Sequence, residues 1–365
     1  MKPSFWSINR LNPWLAVNYS LLFPGLGQLY SAFWVKGISL VLIAVVMIGY
    51  ATWSIFGANG QTMWGFWTIG CFLIVYSFSI LDAYRGTQPD YATRISVPQG
   101  RSSDPWYAVF LSQLLPGLGH LYLQQALAGG VFLGTGLLSA WLANSIPKLV
   151  PIPPLIWALS CYHVYVSFPH QTRRKSGMNG QVSTGAIALL VVGLLVIRLS
   201  LASTPGWIRQ AVEQCIVPSD SMAPTLQVND RLFVRRNHTH RPNIGDIIVF
   251  TPPDKALQAL PEQEDAENLL YVKRVIGLPG QQIAVKDGRV YVGDRPIAEP
   301  YTQAAPAYEW GPETVPANSY FVLGDNRNKS SDSHLWGYVP EANILGAAYK
   351  IYWPSDRVQP LTATD

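Results

Sequence analysis

At 365 residues the chain has room for two or three domains of roughly 100 to 200 residues each. Charged residues make up 13% against about 25% in an ordinary soluble chain, hydrophobic residues make up 49%, and mean hydropathy is +0.15, which excludes a disordered or wholly cytosolic protein. The net charge of +4 averages unlike parts: residues 1–204 hold 11 Lys/Arg and 3 Asp, net +8, and residues 205–365 hold 15 Lys/Arg and 19 Asp/Glu, net −4, so nothing in it calls for nucleic acid.

Five stretches are apolar enough to predict helices through about 30 Å of hydrocarbon: Gly37–Phe56, Trp64–Leu81, Val131–Ile146, Pro153–Phe168 and Gly185–Ser203. The third and fourth are short and flanked by Pro147, Pro151, Pro153 and Pro154. Met1–Asn12 lacks the charged start, apolar core and small-residue site of a cleavable signal peptide. Positive charge in short loops marks one side: Lys2 and Arg10 precede the first span, with Lys36 at its start; Arg85, Arg94 and Arg101 follow the second, and Arg173, Arg174 and Lys175 follow the fourth. If that side is the cytoplasm, the last span delivers residues 205–365 to a periplasm, cell exterior or equivalent lumen, after a short linker. Lys148 dissents weakly, and Arg198 can snorkel toward the outer interface on its long stem.

A motif recurs before two pairs of spans. Leu22-Phe23-Pro24-Gly25-Leu26-Gly27-Gln28-Leu29-Tyr30 is matched by Leu114-Leu115-Pro116-Gly117-Leu118-Gly119-His120-Leu121-Tyr122, which suggests domains at 1–104 and 105–183, an anchor at 184–204 and an exported domain at 205–365. Pro and two Gly in an apolar segment bend a helix and allow close packing, so each copy reads as a bent interfacial or re-entrant element; helix packing and the binding of lipid or a partner both fit it. His120 and His163 have no evident second metal ligand and read as hydrogen-bonded interfacial histidines. Cys71, Cys161 and Cys215 form neither a disulfide framework nor a metal-ligand pattern, so no cofactor or metal is expected.

From Cys215 the pattern turns to β. Residues 230–236, 245–250, 269–276, 282–285 and 289–292 are short β-branched and aromatic runs separated by turns, which predicts a mainly-β domain of hairpins following the N-terminal helical bundle. Asp287-Gly288 suits a type I′ hairpin, residues 252–268 form a polar inserted loop, and Pro296–Pro316 has too many prolines for a central strand.

Hydrolysis needs a nucleophile, a base and a charge stabiliser, and three segments offer them. Pro218-Ser219-Asp220-Ser221-Met222-Ala223-Pro224 places two serines on backbone that cannot continue a helix. Tyr271-Val272-Lys273-Arg274-Val275 puts Lys273 and Arg274 on opposite sides of a strand, so that one can be drawn inward while the other stays in water; burial would lower the lysine pKa and make it a general base. Gly324-Asp325-Asn326-Arg327-Asn328-Lys329-Ser330-Ser331-Asp332-Ser333-His334 is dense enough in polar groups to orient that lysine. Taken singly, the three also read as a loop, an exposed strand lysine and a solvated turn.

Taken together, in this order and spacing, the segments and the strand Gly245–Phe250 resemble bacterial type I signal peptidases over most of residues 215–353. The resemblance implies an integral-membrane serine endopeptidase that removes signal peptides from exported precursors after Ala-x-Ala, with Ser221 as nucleophile and Lys273 as base. Ser219 would complete the oxyanion hole, Ser330 would orient the ammonium, Asp332 would hold the loop, and Asp325 and Arg327 would support it. Val217, Pro218, Met222, Leu226, Tyr271 and Val272 would line shallow pockets for small side chains. Implied partners are signal peptides, membrane lipid and the translocation machinery. Asp220 stands where the family usually has a small residue, and His334 where it often has Arg. Three other readings remain: a non-catalytic membrane adaptor with a peptide-binding, protease-like domain; a self-cleaving Ser/Lys protease; and a triad through His334, which lacks a Gly-x-Ser-x-Gly elbow.

Overall fold

The computed structural model describes residues 12–87, 104–168, 180–236, 241–258 and 269–362. It divides into two compact units, residues 1–50 with 68–206 and residues 51–67 with 207–365. Lys2, Arg10, Arg94, Arg101, Arg173, Arg174 and Lys175, on which the charge-based orientation rests, lie outside the described residues, as do residues 259–268 of the inserted loop.

The first unit is helical, built on α1 (Pro13–Leu22), α2 (Leu26–Tyr30), α3 (Trp34–Phe56), α4 (Thr62–Gly86), α5 (Pro105–Leu114), α6 (Leu118–Tyr122), α7 (Ala126–Ser145), α8 (Ile152–Val166) and α9 (Gly180–Ala211). The likeness of its halves begins before the nine-residue motif. Asn12-Pro13-Trp14 and Asp104-Pro105-Trp106 each start a helix with a side-chain cap followed by proline, the Asn12 carbonyl oxygen accepting from the Trp14 and Leu15 amides and the Asp104 carboxylate from the Trp106 amide. The two caps meet, Asn12 Nδ2 donating to Asp104 Oδ2 at 2.9 Å.

Both motif copies take the same left-handed turn. Gly25 has φ +96° and Gly117 φ +93°, and a Cβ at either would strike the carbonyl oxygen of Gly37 or Gly129 respectively, so only glycine fits. Each turn amide donates to a serine hydroxyl at 3.0 Å, Gly25 to Ser79 and Gly117 to Ser160. The copies then diverge at one position: Gln28 Nε2 donates to Asp82 Oδ2 at 2.9 Å, whereas His120 Nε2 lies 2.8 Å from His163 Nδ1. The two histidines, read separately from sequence, are therefore each other's partner.

Four of the five expected spans are long and apolar enough to cross a membrane: α3, α4, α7 and Gly185–Ser203 within α9. The fourth expected span is a helix of 15 residues, about 22 Å long at 1.5 Å per residue and short of a bilayer. Proline at its first positions suits a helix start, where a backbone N–H has no helical acceptor. Its Cys161, Val164 and Tyr165 pack with Trp106, Val109, Ile187 and Leu190 in the core of the unit. Val35, Val46, Trp67, Ile74, Leu127 and Leu189 are by contrast exposed, a surface suited to lipid and not to water. Arg198 does not snorkel outward: its Nη2 donates to the Gln113 carbonyl at 2.7 Å and its guanidinium lies 4.9 Å from the Trp157 ring. In an apolar helix a carbonyl and an aromatic face satisfy a guanidinium without a carboxylate.

The expected linker after the last span is absent, because α9 continues to Ala211 and β1 begins at Val212. A proline removes one backbone donor and can kink a helix without ending it. The second unit contains an eight-stranded sheet in the order β1 (Val212–Ile216), β2 (Arg231–Arg236), β11 (Ile344–Trp353), β3 (Ile247–Phe250), β4 (Tyr271–Gly277), β9 (Ser319–Leu323), β10 (Val339–Pro340), with β12 (Gln359–Pro360) on β11. A four-stranded sheet runs β7 (Arg295–Pro296), β6 (Arg289–Val292), β5 (Gln282–Lys286), β8 (Trp310–Thr314). Asp287 and Gly288 both take positive φ in the β5–β6 turn, as a type I′ hairpin requires. The proline-rich stretch contributes only Pro296 of β7 and the strand β8, at the two edges of the smaller sheet.

The larger sheet is covered on both faces. Ile247, Val249 and Val272 join Leu232, Met222 and Ile351 in one cluster, while Ile248, Phe250 and Val275 join Tyr320, Val322 and Trp336 in another. Each such side chain contributes roughly 1.5–3 kcal/mol by leaving water. Because clusters pack on both faces of β4 between β3 and β9, polar side chains on either face are buried.

Candidate active site

Pro218 and Pro224 bracket a tight turn after β1, closed by Ala223 N–H to Asp220 C=O at 3.0 Å and Leu226 N–H to Met222 C=O at 2.9 Å. It carries Ser221, 8% exposed, toward β4. There Lys273 Nζ lies 2.8 Å from Ser221 Oγ, and the Ser219 hydroxyl lies 3.2 Å from Ser221 Oγ. Lys273 is 5% exposed, and its Nζ sits 5.6 Å from the centre of the Tyr271 ring, two residues away on the same face of the strand. Burial pushes its pKa down to about 8, partly offset by the negative fields of Asp332 and Asp325.

The loop after β9 wraps this pair. Asn326 N–H donates to the Ser221 carbonyl at 3.1 Å, and Asp332 Oδ2 accepts from Gly324 N–H at 2.9 Å. Asp332 also caps the short helix α10 (Ser333–Trp336), and its Oδ1 lies 2.6 Å from His334 Nδ1. The His334 ring stacks on Tyr308 with centroids 4.0 Å apart, so its departure from the family's arginine keeps a partner for Asp332 while losing a bidentate fork. Ser330 is buried beside this loop, but its Oγ has no hydrogen-bond partner among the described residues, so the expected bond to Lys273 is not formed. Lys273 Nζ is held by Ser221 Oγ instead.

Asp325 and Arg327 anchor the loop to different elements. Asp325 accepts from Arg274 Nε at 2.8 Å, Arg274 Nη2 at 2.7 Å and the Thr225 hydroxyl at 2.6 Å, while Arg327 pairs with Glu299 and donates to the Gly324 carbonyl at 3.1 Å. Arg274 was expected in water as the neighbour of a buried lysine. It is instead fully buried, its fork on Asp325 and its guanidinium 3.8 Å from the Tyr301 ring, because β4 has no solvent face. Arg274, Thr225, Glu299 and Tyr301 are thus parts of the site that sequence reasoning missed; the available signal was an arginine whose same-face strand neighbours, Val272 and Ile276, are apolar. Of the expected pocket residues, Val217, Met222, Leu226 and Val272 pack into one core cluster, Tyr271 is half-buried and Pro218 is exposed. Asp220 is exposed, which keeps its charge in water.

The family described as "Signal peptidase, peptidase S26" matches residues 186–353. Signal peptidase I of Leptolyngbya laminosa is 48% identical over 174 residues, covering 47% of this chain and 84% of the relative. The chain belongs to the type I signal peptidases. Probable signal peptidase I-2 of Synechocystis sp. is 49% identical over 40% of the chain and 65% of its own length, and thylakoidal processing peptidase 1 of Arabidopsis thaliana is 38% identical over 39% of the chain and 42% of its own. This signal peptidase is therefore a membrane-anchored serine endopeptidase that removes signal peptides, with α1–α8 lying N-terminal to the matched residues.

Proposed function

We propose that this signal peptidase cuts precursors after Ala-x-Ala with Ser221 as nucleophile and Lys273 as general base. The observation that carries the reading is the 2.8 Å contact between the serine hydroxyl and a buried lysine whose pKa falls to about 8. The neutral amine takes the hydroxyl proton as Ser221 Oγ attacks the scissile carbonyl; the resulting ammonium then returns that proton to the leaving amine, freeing the amine lone pair to activate water against the acyl-enzyme. The Ser219 hydroxyl and the Ser221 backbone N–H would stabilise the oxyanion. Asp332 holds the loop, and Asp325 and Arg327 brace it. Val217, Pro218, Met222, Leu226, Tyr271 and Val272 would shape pockets that exclude bulky residues by overlap.

The same reading takes residues 1–104 and 105–183 as two hairpin domains, 184–204 as the anchor and 205–365 as the exported peptidase, working in membrane lipid beside the translocation machinery that delivers precursors. An outward catalytic domain is supported by the loop between α3 and α4, which belongs to the same compact unit as the β-sheets and is the turn that charge bias predicts to be outside. The test is cleavage of an Ala-x-Ala precursor by purified protein, with the product termini read by mass spectrometry. Cleavage at that bond, lost in both Ser221→Ala and Lys273→Ala, is expected; cleavage surviving in either variant removes the dyad.

A further inference from the structure

A second buried lysine has no part in the chemistry. Lys350 on β11 is 0% exposed, and its Nζ donates to the carbonyls of Ser54 at 3.0 Å, Ile55 at 2.9 Å and Gly57 at 3.0 Å. The carbonyl left between them, that of Phe56, accepts from the Tyr349 hydroxyl at 3.1 Å. Four consecutive carbonyls at the end of α3 are therefore satisfied by two adjacent side chains.

Two physical facts make this more than incidental packing. The last carbonyls of a helix have no partner within it and carry the negative end of its dipole, so an ammonium there meets both a hydrogen-bonding and an electrostatic need. Adjacent strand residues normally point to opposite faces, yet here both reach the same turn, and the register of β11 against β2 shifts between Ala348 and Lys350. Burial lowers the Lys350 pKa to about 8, which leaves it charged at neutral pH, and no carboxylate pairs with it among the described residues. Burying a charge without a counter-ion is costly, and an apolar residue would serve the sheet better if the sheet were all it served. The contact extends to Phe56, whose ring lies 5.5 Å from Phe233, itself stacked on Tyr352 at 4.1 Å. The turn is closed on its own account by the Ser54 hydroxyl donating to the Gln61 carbonyl at 2.6 Å.

We propose that Lys350 and Tyr349 form a latch that makes the turn between the first two membrane spans a working part of the peptidase, giving it a second membrane tether besides α9 for handling precursors held in the bilayer. A second tether restricts how the catalytic unit samples the bilayer surface, raising its effective concentration against an anchored substrate and leaving a freely diffusing one unaffected. The latch uses none of the residues assigned to the Ser221–Lys273 chemistry, so the two proposals fail separately.

The test uses the full chain reconstituted in phospholipid vesicles, with Lys350→Met, which keeps an apolar stem and removes the donors, and Phe56→Ala, which loosens the turn from the other side. Each is assayed on a short soluble Ala-x-Ala peptide and on a precursor with the same site anchored in the same vesicles. The expected result is a loss of about ten-fold on the anchored precursor with the peptide rate held within about two-fold for both variants, and faster amide exchange over residues 57–60. Unchanged cleavage of the anchored precursor by both variants overturns the latch. Equal loss on the two substrates also overturns it, assigning Lys350 and Phe56 to the peptidase fold alone.

Discussion

Lys273 and Lys350 are two lysines of one sheet in nearly the same electrostatic circumstance. Both are at most 5% exposed, and burial pushes both to a pKa of about 8. What separates them is the partner. Lys273 meets a hydroxyl, which can donate to a neutral amine, and Lys350 meets three carbonyls, which can only accept. The first can give up its proton and gain a new hydrogen bond in its place, whereas the second loses one when it deprotonates. A depressed lysine pKa therefore reports burial, and the atom opposite the nitrogen decides whether the group is a base or a clasp.

The largest effect expected from this contrast is on cleavage of a soluble peptide. Lys273→Met should lower kcat/KM by about 10⁴-fold or more, and Lys350→Met should leave it within about two-fold. Comparable losses in steady-state assays of the two folded variants would erase the distinction. Next comes the ion pair behind Lys273: Arg274→Met leaves Asp325 buried without its partner and should cost about 3–5 kcal/mol in detergent unfolding, part of which Asp325→Asn in the same chain should restore. A single mutant as stable as the parent would show that the pair does not hold the strand.

Removing one oxyanion donor is expected to be smaller. Ser219→Ala should reduce kcat by about 10²- to 10³-fold with little change in KM; a rise in KM at constant kcat would make Ser219 a substrate-binding group. The finest discrimination is the pH profile. The neutral amine is the active form and the Lys273 pKa is lowered to about 8, so activity should rise through pH 8 and fall away below it, the reverse of a group that works protonated. A limb near the ~10.4 of a free lysine would mean that Lys273 is solvated in the working enzyme.

Much of this was legible along the chain because the signals are local. The apolar spans, the Asp287-Gly288 hairpin and the serine, lysine and Asp/Asn-rich segments each announce themselves within about a dozen residues. Alternation on a strand allowed one of Lys273 and Arg274 inward and left the other in water, yet both are buried, because alternation assumes that one face of the strand meets water. That β4 is central and covered on both faces depends on β3 and β9, which are distant in sequence. The longer internal likeness starting at Asn12 and Asp104 was present in the letters and became visible only when the two caps met.

By itself the sequence determined which segments can enter lipid, which form short strands, and which side chains supply a nucleophile and a base, since each follows from hydropathy, period and functional-group chemistry over short range. The tertiary structure alone decided that Lys273 reaches Ser221 across 52 residues and that Lys350 reaches the end of α3 across nearly 300. The Ser330 hydroxyl, expected on Lys273, stands without a partner among the described residues. The physical reason is that a buried polar group is assigned its role by whichever donor or acceptor packing brings within 3 Å of it, and for these groups that neighbour comes from strand order, a β-bulge and a distant turn.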